Sequence, residues 1–319
     1  MLRKFFADTA DLVREILSRL GISRSRRRWP LPARTEDDSA PALPRRAEHR
    51  MCPACRALVP SSDRVCPECG AALGRAPGRR GPASFLLPNF GSASTALLSA
   101  IVVIYVAMVV AAPSSRSPFA PAPELMIQMG AKITQLIFFA GEWWRLVNPV
   151  FLHWNLMHIL FNGYALANLG PLVESAVGGR RLLVLFTGTG IASFAVSAVL
   201  SPRGIAAGAS GAIFGLIGYG IVMGYLHRDI AFRHVAPQLL FWAALNFVVF
   251  GLLVPGVDNA AHFGGFAAGC AFGLFATGRP SRRPWIDRLW TLAAIVAVLL
   301  PLCGFAMSFI AGGRAAHLP

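Results

Sequence analysis

Ser210 and His262 are the residues of this chain whose type and setting point most directly to covalent chemistry. Ser210 lies in Gly208-Ala209-Ser210-Gly211-Ala212-Ile213-Phe214-Gly215, and His262 lies in Ala261-His262-Phe263-Gly264-Gly265, both within stretches apolar enough to be membrane spans. Hydrocarbon is a costly place for a hydroxyl or an imidazole, so polar side chains at that depth read as functional. Each falls on a predicted helix with a glycine-lined face, Gly211, Gly215 and Gly218 on one, Gly265 and Gly269 on the other. Spacings of three and four stack these glycines, so the two backbones can approach until Ser210 and His262 meet. A hydroxyl beside an imidazole supplies the nucleophile and general base of acyl transfer. His262 needs no metal or cofactor to take the serine proton, so no catalytic cofactor is expected.

A second pair lies in Phe151-Leu152-His153-Trp154-Asn155-Leu156-Met157-His158-Ile159-Leu160-Phe161-Asn162, where His158 and Asn162 are four apart and share a helix face. Two such side chains can satisfy each other, hold helices together, or donate to a developing oxyanion. His153 sits nearer the outer membrane face, and His227 and His234 fall in an inner loop, where imidazoles need no special role.

The third constellation is Cys52-Pro53-Ala54-Cys55 followed after ten residues by Cys66-Pro67-Glu68-Cys69-Gly70. Two CxxC turns aim four thiolates at one tetrahedral centre, so Cys52, Cys55, Cys66 and Cys69 read as a structural zinc site in a small zinc-ribbon-like domain. A redox dithiol pair and a disulfide framework are the rival readings, and both suit a cytosolic segment less well. Cys270 and Cys303, in predicted spans, read as small core hydrophobes.

Hydrophobic residues make up 55% of the chain and charged ones 14%, with a mean hydropathy of +0.55, far from the soluble average. The net charge of +15 is concentrated in the first ninety positions and in short loops, where it orients spans and meets anionic lipid, so a nucleic-acid partner is not expected. Residues 1–28 read as an amphipathic, basic segment without a signal peptide's apolar core, 29–50 as a linker, 51–73 as the zinc ribbon and 74–93 as a second linker. Apolar runs predict spans at 94–112, 151–172, 181–200, 209–226, 235–254, 260–277 and 289–311. Arg180, Arg181, Arg228, Arg233, Arg279, Arg282, Arg283 and Arg288 fall in loops on one side, against Arg203 and Asp258 on the other. The positive-inside rule then puts the N-terminus in the cytosol and, with seven spans, the C-terminus outside. The predicted outer loop at 113–150 carries Trp143-Trp144-Arg145, which by itself reads as a headgroup anchor.

Taken together, Trp144-Arg145, His158 and Asn162, Gly208-Ala209-Ser210-Gly211, and Ala261-His262 with Gly265 and Gly269 resemble the rhomboid family of intramembrane serine proteases, over residues 94 to 277 and in the family's order. The resemblance implies an all-α polytopic membrane protein with a six-helix core at 94–277, to which 278–319 adds a basic loop and a seventh span. It implies Ser210 as nucleophile, His262 as general base, and His158 and Asn162 as oxyanion donors, joined by the Ser210 backbone N–H at a helix start. Phe214 stands where many family members carry a tyrosine, so stacking on the histidine is retained and a hydroxyl hydrogen bond is not. No acidic residue appears on the predicted spans to orient His262, which argues for a dyad. Substrates would be membrane proteins entering by their own transmembrane segment, with Phe241, Trp242 and the Gly256–Asn259 loop as gate and cap, in a bacterial cell membrane. A catalytically dead relative would be expected to lack the serine or histidine, and a transporter to show broken helices or repeated halves.

Overall fold

The computed structural model describes residues 49–52, 57–60, 63–70, 73, 92–253, 256–275 and 284–315. The expected N-terminal amphipathic segment, nearly all of both linkers, Cys55 and the arginines at 279, 282 and 283 lie outside the described residues. The chain divides into two units, Met1–Pro88 and Asn89–Pro319.

In the first unit, β1 (His49–Met51) and β2 (Leu58–Pro60) pair antiparallel, with Arg50 opposite Val59. Val59, Leu73, Cys52 and Cys66 form its buried cluster. So small a core needs further crosslinking to hold one conformation.

The second unit is helical. Helix α1 (Ala93–Ala111) starts at Ser92, whose side chain accepts the Thr95 N–H. Glu174 takes the Ala93 and Ser94 N–H groups at 2.8 and 2.9 Å. A connecting region follows with β3 (Pro113–Ser114), β4 (Ser117–Pro121), α2 (Pro123–Gln128), α3 (Thr134–Phe139) and two 3-10 turns, Trp143–Leu146 and Asn148–Phe151. Then come α4 (Leu156–Val177), α5 (Gly179–Leu200), α6 (Ser210–Tyr225), α7 (Ala236–Leu245), α8 (Asn259–Phe275) and α9 (Pro284–Ala315). Beyond α7 the backbone continues through a π-helical stretch, Asn246–Phe250, into the turn Gly251–Leu253.

Helices α1, α4, α5 and the Trp285–Gly312 part of α9 are long and apolar enough to cross a membrane, while α6 and the Ala236–Val249 helix are shorter and apolar. The second span was expected over 151–172, but its helix begins at Leu156. Pro149 favours the preceding 3-10 turn, and Asn155, with extended backbone, caps α4 by accepting the His158 N–H at 2.9 Å. His158 therefore sits in the first turn of α4 and Asn162 in the second.

Leu166, Val173, Leu182, Leu185, Phe186, Leu216 and Tyr219 fill the centre between α4, α5 and α6. Among apolar helices in lipid, close packing and not burial from water favours association, and the glycines supply it. A β-carbon at Gly265 would overlap the Gly211 carbonyl, one at Gly269 the Gly215 carbonyl, and one at Gly218 the Phe266 carbonyl. The missing side chains of Gly211 and Gly215 themselves face Ser193 and Thr189 on α5. The glycine face of α6 thus serves two neighbours: the Gly211 and Gly215 carbonyls and the absent β-carbon of Gly218 meet α8, and the absent β-carbons of Gly211 and Gly215 meet α5.

The connecting region corrects one expectation. Trp143 is exposed at 41%, as an anchor would be, but Trp144 and Arg145 are buried at 6% and 5%. The Arg145 guanidinium donates to the Ile127 and Ala131 carbonyls at 2.9 and 2.8 Å and to Glu142 at 2.5 Å, so it organises the loop from within. Asn148 donates to the Met129 carbonyl and to Ser308 Oγ, both at 2.9 Å, tying α9 to the same region.

Candidate active site

Ser210 is the first residue of α6, with Ala209 at its cap. The chain enters this helix through Gly208, whose φ of +144° suits glycine and whose absent side chain leaves room for His158. A β-carbon there would lie 2.8 Å from His158 Nε2 and 3.7 Å from Ser210 Oγ, so the imidazole and the hydroxyl border the same small space. The Gly208 N–H donates to the Pro149 carbonyl at 2.8 Å, holding the turn against the 3-10 turn that precedes α4.

His262 enters this space from α8, its Nε2 2.9 Å from Ser210 Oγ. Phe214, one turn below the serine, stacks on the imidazole with centroids 4.5 Å apart and planes at 21°. Phe247, from the π-helical stretch, packs on Phe214 at 5.0 Å and lies 6.4 Å from His262. Nδ1 of His262 is buried with no hydrogen-bond partner among the described residues. The imidazole is thus oriented by packing and by its helix, and an Nε2 that accepts the serine proton leaves the ring proton on Nδ1.

Asn162, 6% exposed, donates one amide hydrogen to the His158 carbonyl at 2.9 Å and carries a second on the same nitrogen. The first N–H groups of α6, the Ser210 amide among them, have no intrahelical acceptor and add the positive end of the helix dipole.

Two contributors escaped the sequence reading. His153, expected to be an interfacial imidazole, is 1% exposed, packs edge-on to His158 at 5.1 Å, and presents Nε2 to the Ala209 N–H at 3.4 Å. Nothing local in the sequence marks it, because its burial depends on the turn before Leu156. Asp258, counted above only as an outer-loop charge, precedes α8 and accepts the Ala261 N–H at 3.0 Å. That signal was legible, since an aspartate directly before an apolar helix is an N-cap pattern.

In the first unit, the thiol sulfurs of Cys52, Cys66 and Cys69 lie within 4.8 Å of one another, with Cys52 and Cys69 at 3.7 Å. Four sulfurs about 2.3 Å from a zinc ion stand about 3.8 Å apart along each tetrahedral edge, so this donor set fits that ion. Of the other cysteines, Cys270 is partly buried against the Gly218 face and Cys303 is exposed.

Residues 140–279 match the Rhomboid domain model, a stretch that contains every residue of the Ser210 site named above. The chain is 31% identical over 212 residues to Rhomboid-like protease 2 of Toxoplasma gondii, covering 66% of this chain and 74% of that protein. It is 31% identical over 229 residues to Rhomboid-like protease 1 of the same organism, covering 68% and 75%. It is also 35% identical over 175 residues to Rhomboid protease GluP of Bacillus subtilis (strain 168), covering 55% of this chain but only 34% of that relative.

Proposed function

This chain belongs to the rhomboid family of intramembrane serine proteases, and from that premise we propose that it is a serine endopeptidase that cleaves the transmembrane segments of membrane proteins with a Ser210–His262 dyad. The observation that carries the proposal is the 2.9 Å approach of Ser210 Oγ to His262 Nε2 between apolar helices. His262 Nε2 takes the hydroxyl proton as Oγ bonds to the scissile carbonyl carbon. The carbonyl oxygen becomes an oxyanion held by His158, the Asn162 amide and the Ser210 N–H. The imidazolium then protonates the leaving amine as the C–N bond breaks; a water deprotonated by the same nitrogen attacks the acyl carbon, and the imidazolium returns that proton to Oγ as the C–Oγ bond breaks.

The protein is an integral membrane protein by family and by its apolar helices. In our reading α1, α4, α5, α6, α7 and α8 are the six-helix core and α9 is a seventh span, with the N-terminus in the cytosol, the C-terminus outside, and the membrane that of a bacterial cell. Helix α6, with 16 residues, rises about 24 Å, short of the roughly 30 Å hydrocarbon core, so its Ser210 end lies below the outer face. Water reaches an acyl-enzyme from that side. A substrate helix must unwind to expose its peptide bond, so small or helix-breaking residues favour cleavage. Entry beside α7, with exposed Phe241 and Trp242, fits this route.

Cys52, Cys55, Cys66 and Cys69 in this reading hold one zinc ion that folds the N-terminal ribbon and takes no part in hydrolysis. Metal analysis of reduced protein should return one zinc per chain, and chelation should open residues 50–73 to proteolysis. Zinc-free reduced protein would refute the site.

The functional test is cleavage of a model single-span substrate in proteoliposomes. Wild type cuts it and Ser210→Ala, shown to be folded and inserted, does not. Equal cleavage by both would refute the protease reading and favour a client-binding protein.

A further inference from the structure

Asp258 accepts three hydrogen bonds that join two helices, α8 and α5. It is the residue before α8, and its Oδ1 accepts the N–H of Ala261, the third residue of that helix. Its own carbonyl accepts the His262 N–H at 3.1 Å. Its other oxygen, Oδ2, accepts from the hydroxyl of Ser197, a fully buried residue near the end of α5. This is the N-cap geometry, in which a side-chain oxygen satisfies a donor that the first turn leaves unpaired. His262 is the fourth residue of α8, at the end of the turn that Asp258 closes.

The neighbouring loop completes the setting. Lys132 and Ala206 exchange backbone hydrogen bonds at 2.8 and 3.2 Å, joining the connecting region to the segment that leads into Ser210. The buried Lys132 ammonium donates to the Ser201 carbonyl at 2.5 Å. Burial pulls it below the ordinary lysine range, and the charge of Asp258 pushes back. Asn259, next in the chain, donates to the Gly251 carbonyl at 2.9 Å and so ties the α8 start to the end of the α7 extension. Since His262 Nδ1 has no partner among the described residues, the orientation of the ring depends on Phe214 and on where the first turn of α8 is held.

We propose that Asp258 is a positioning residue for the dyad: by capping α8 and bonding Ser197 of α5, it fixes the turn that sets His262 against Ser210. The inference rests on the protease reading above and extends it to a carboxylate that touches neither substrate nor the reacting atoms. Glutamine or glutamate would reach past the Ala261 N–H, whereas asparagine retains an acceptor at the right length and can still bond the Ser197 hydroxyl.

The test measures the rate of Ser210 labelling by a fluorophosphonate, with kcat and KM on a single-span substrate, for the full chain in lipid. Asp258→Ala should slow labelling and lower kcat by about tenfold, comparable to the loss of one cap, with KM unchanged. Asp258→Asn should restore both to within about threefold of wild type, and Ser197→Ala should fall between, near threefold below wild type. Labelling of Asp258→Ala at the wild-type rate would overturn the proposal, as would Asp258→Asn as slow as Asp258→Ala. Should Asp258→Ala fail to fold, Ser197→Ala with unchanged labelling would overturn it instead. Failure of the protease reading has a different signature, because wild type would then label no better than Ser210→Ala.

Discussion

The division of labour among the residues around Ser210 is open to direct measurement. His262→Ala should abolish cleavage nearly as completely as loss of the serine, because the imidazole is the group 2.9 Å from Oγ and so in place to take its proton. Single-turnover cleavage checks this, and retention of even a tenth of wild-type rate would refute the role. His158→Ala and Asn162→Ala should each cost about 10²-fold in kcat, since the remaining donor and the helix-start amides still face the oxyanion. The two losses should not add fully in the double variant, because both donors serve the same oxyanion. The meeting of serine and histidine was legible in the sequence from glycine spacing on two apolar runs. The burial of His153 beneath the Ser210 loop was not, because it follows from a 3-10 turn and a cap that shift the start of α4 by about one helical turn.

At the scale of elements, the α5–α6–α8 contact is the part of the fold with least tolerance for added volume. Gly265→Val should hold α8 away from the Gly211 carbonyl, lower stability by about 1–3 kcal/mol and suppress cleavage more than it lowers the melting temperature would suggest. Thermal melts in detergent and fluorophosphonate labelling of the same samples separate the two effects. A control at Gly188, where a β-carbon meets nothing within 4 Å, should leave both near wild type when changed to alanine. Helices α1, α5, α6 and α8 begin and end close to where hydropathy put them, because long apolar runs and local caps are properties of neighbouring residues. The π-helical stretch at Asn246–Phe250 had no such signature, and it is what brings Phe247 onto Phe214.

For the whole molecule, the arginine distribution makes a prediction about orientation. Single cysteines replacing Ser61 and Ser117 should label from opposite sides of sealed vesicles, the first from the cytosolic side and the second from outside. The background should first be cleared of Cys303, which is exposed on α9. Labelling of both from one side would reverse or break the proposed topology. Loss of zinc from the N-terminal ribbon should leave this pattern unchanged, because the thiol cluster belongs to a unit with its own core.

The sequence alone reveals the apolar segments, the polar residues that interrupt them and the glycines that let them approach, since each depends on residue type and on spacing within one element. It also marks the two CxxC turns for the same reason. Tertiary structure alone decided that Arg145 is an internal organiser, that His153 lies under the Ser210 loop, and that Asp258 reaches Ser197 across 61 positions of sequence. Those facts depend on where separate elements come together, and long-range hydrogen bonds between them leave no periodicity in a single chain for sequence reasoning to read.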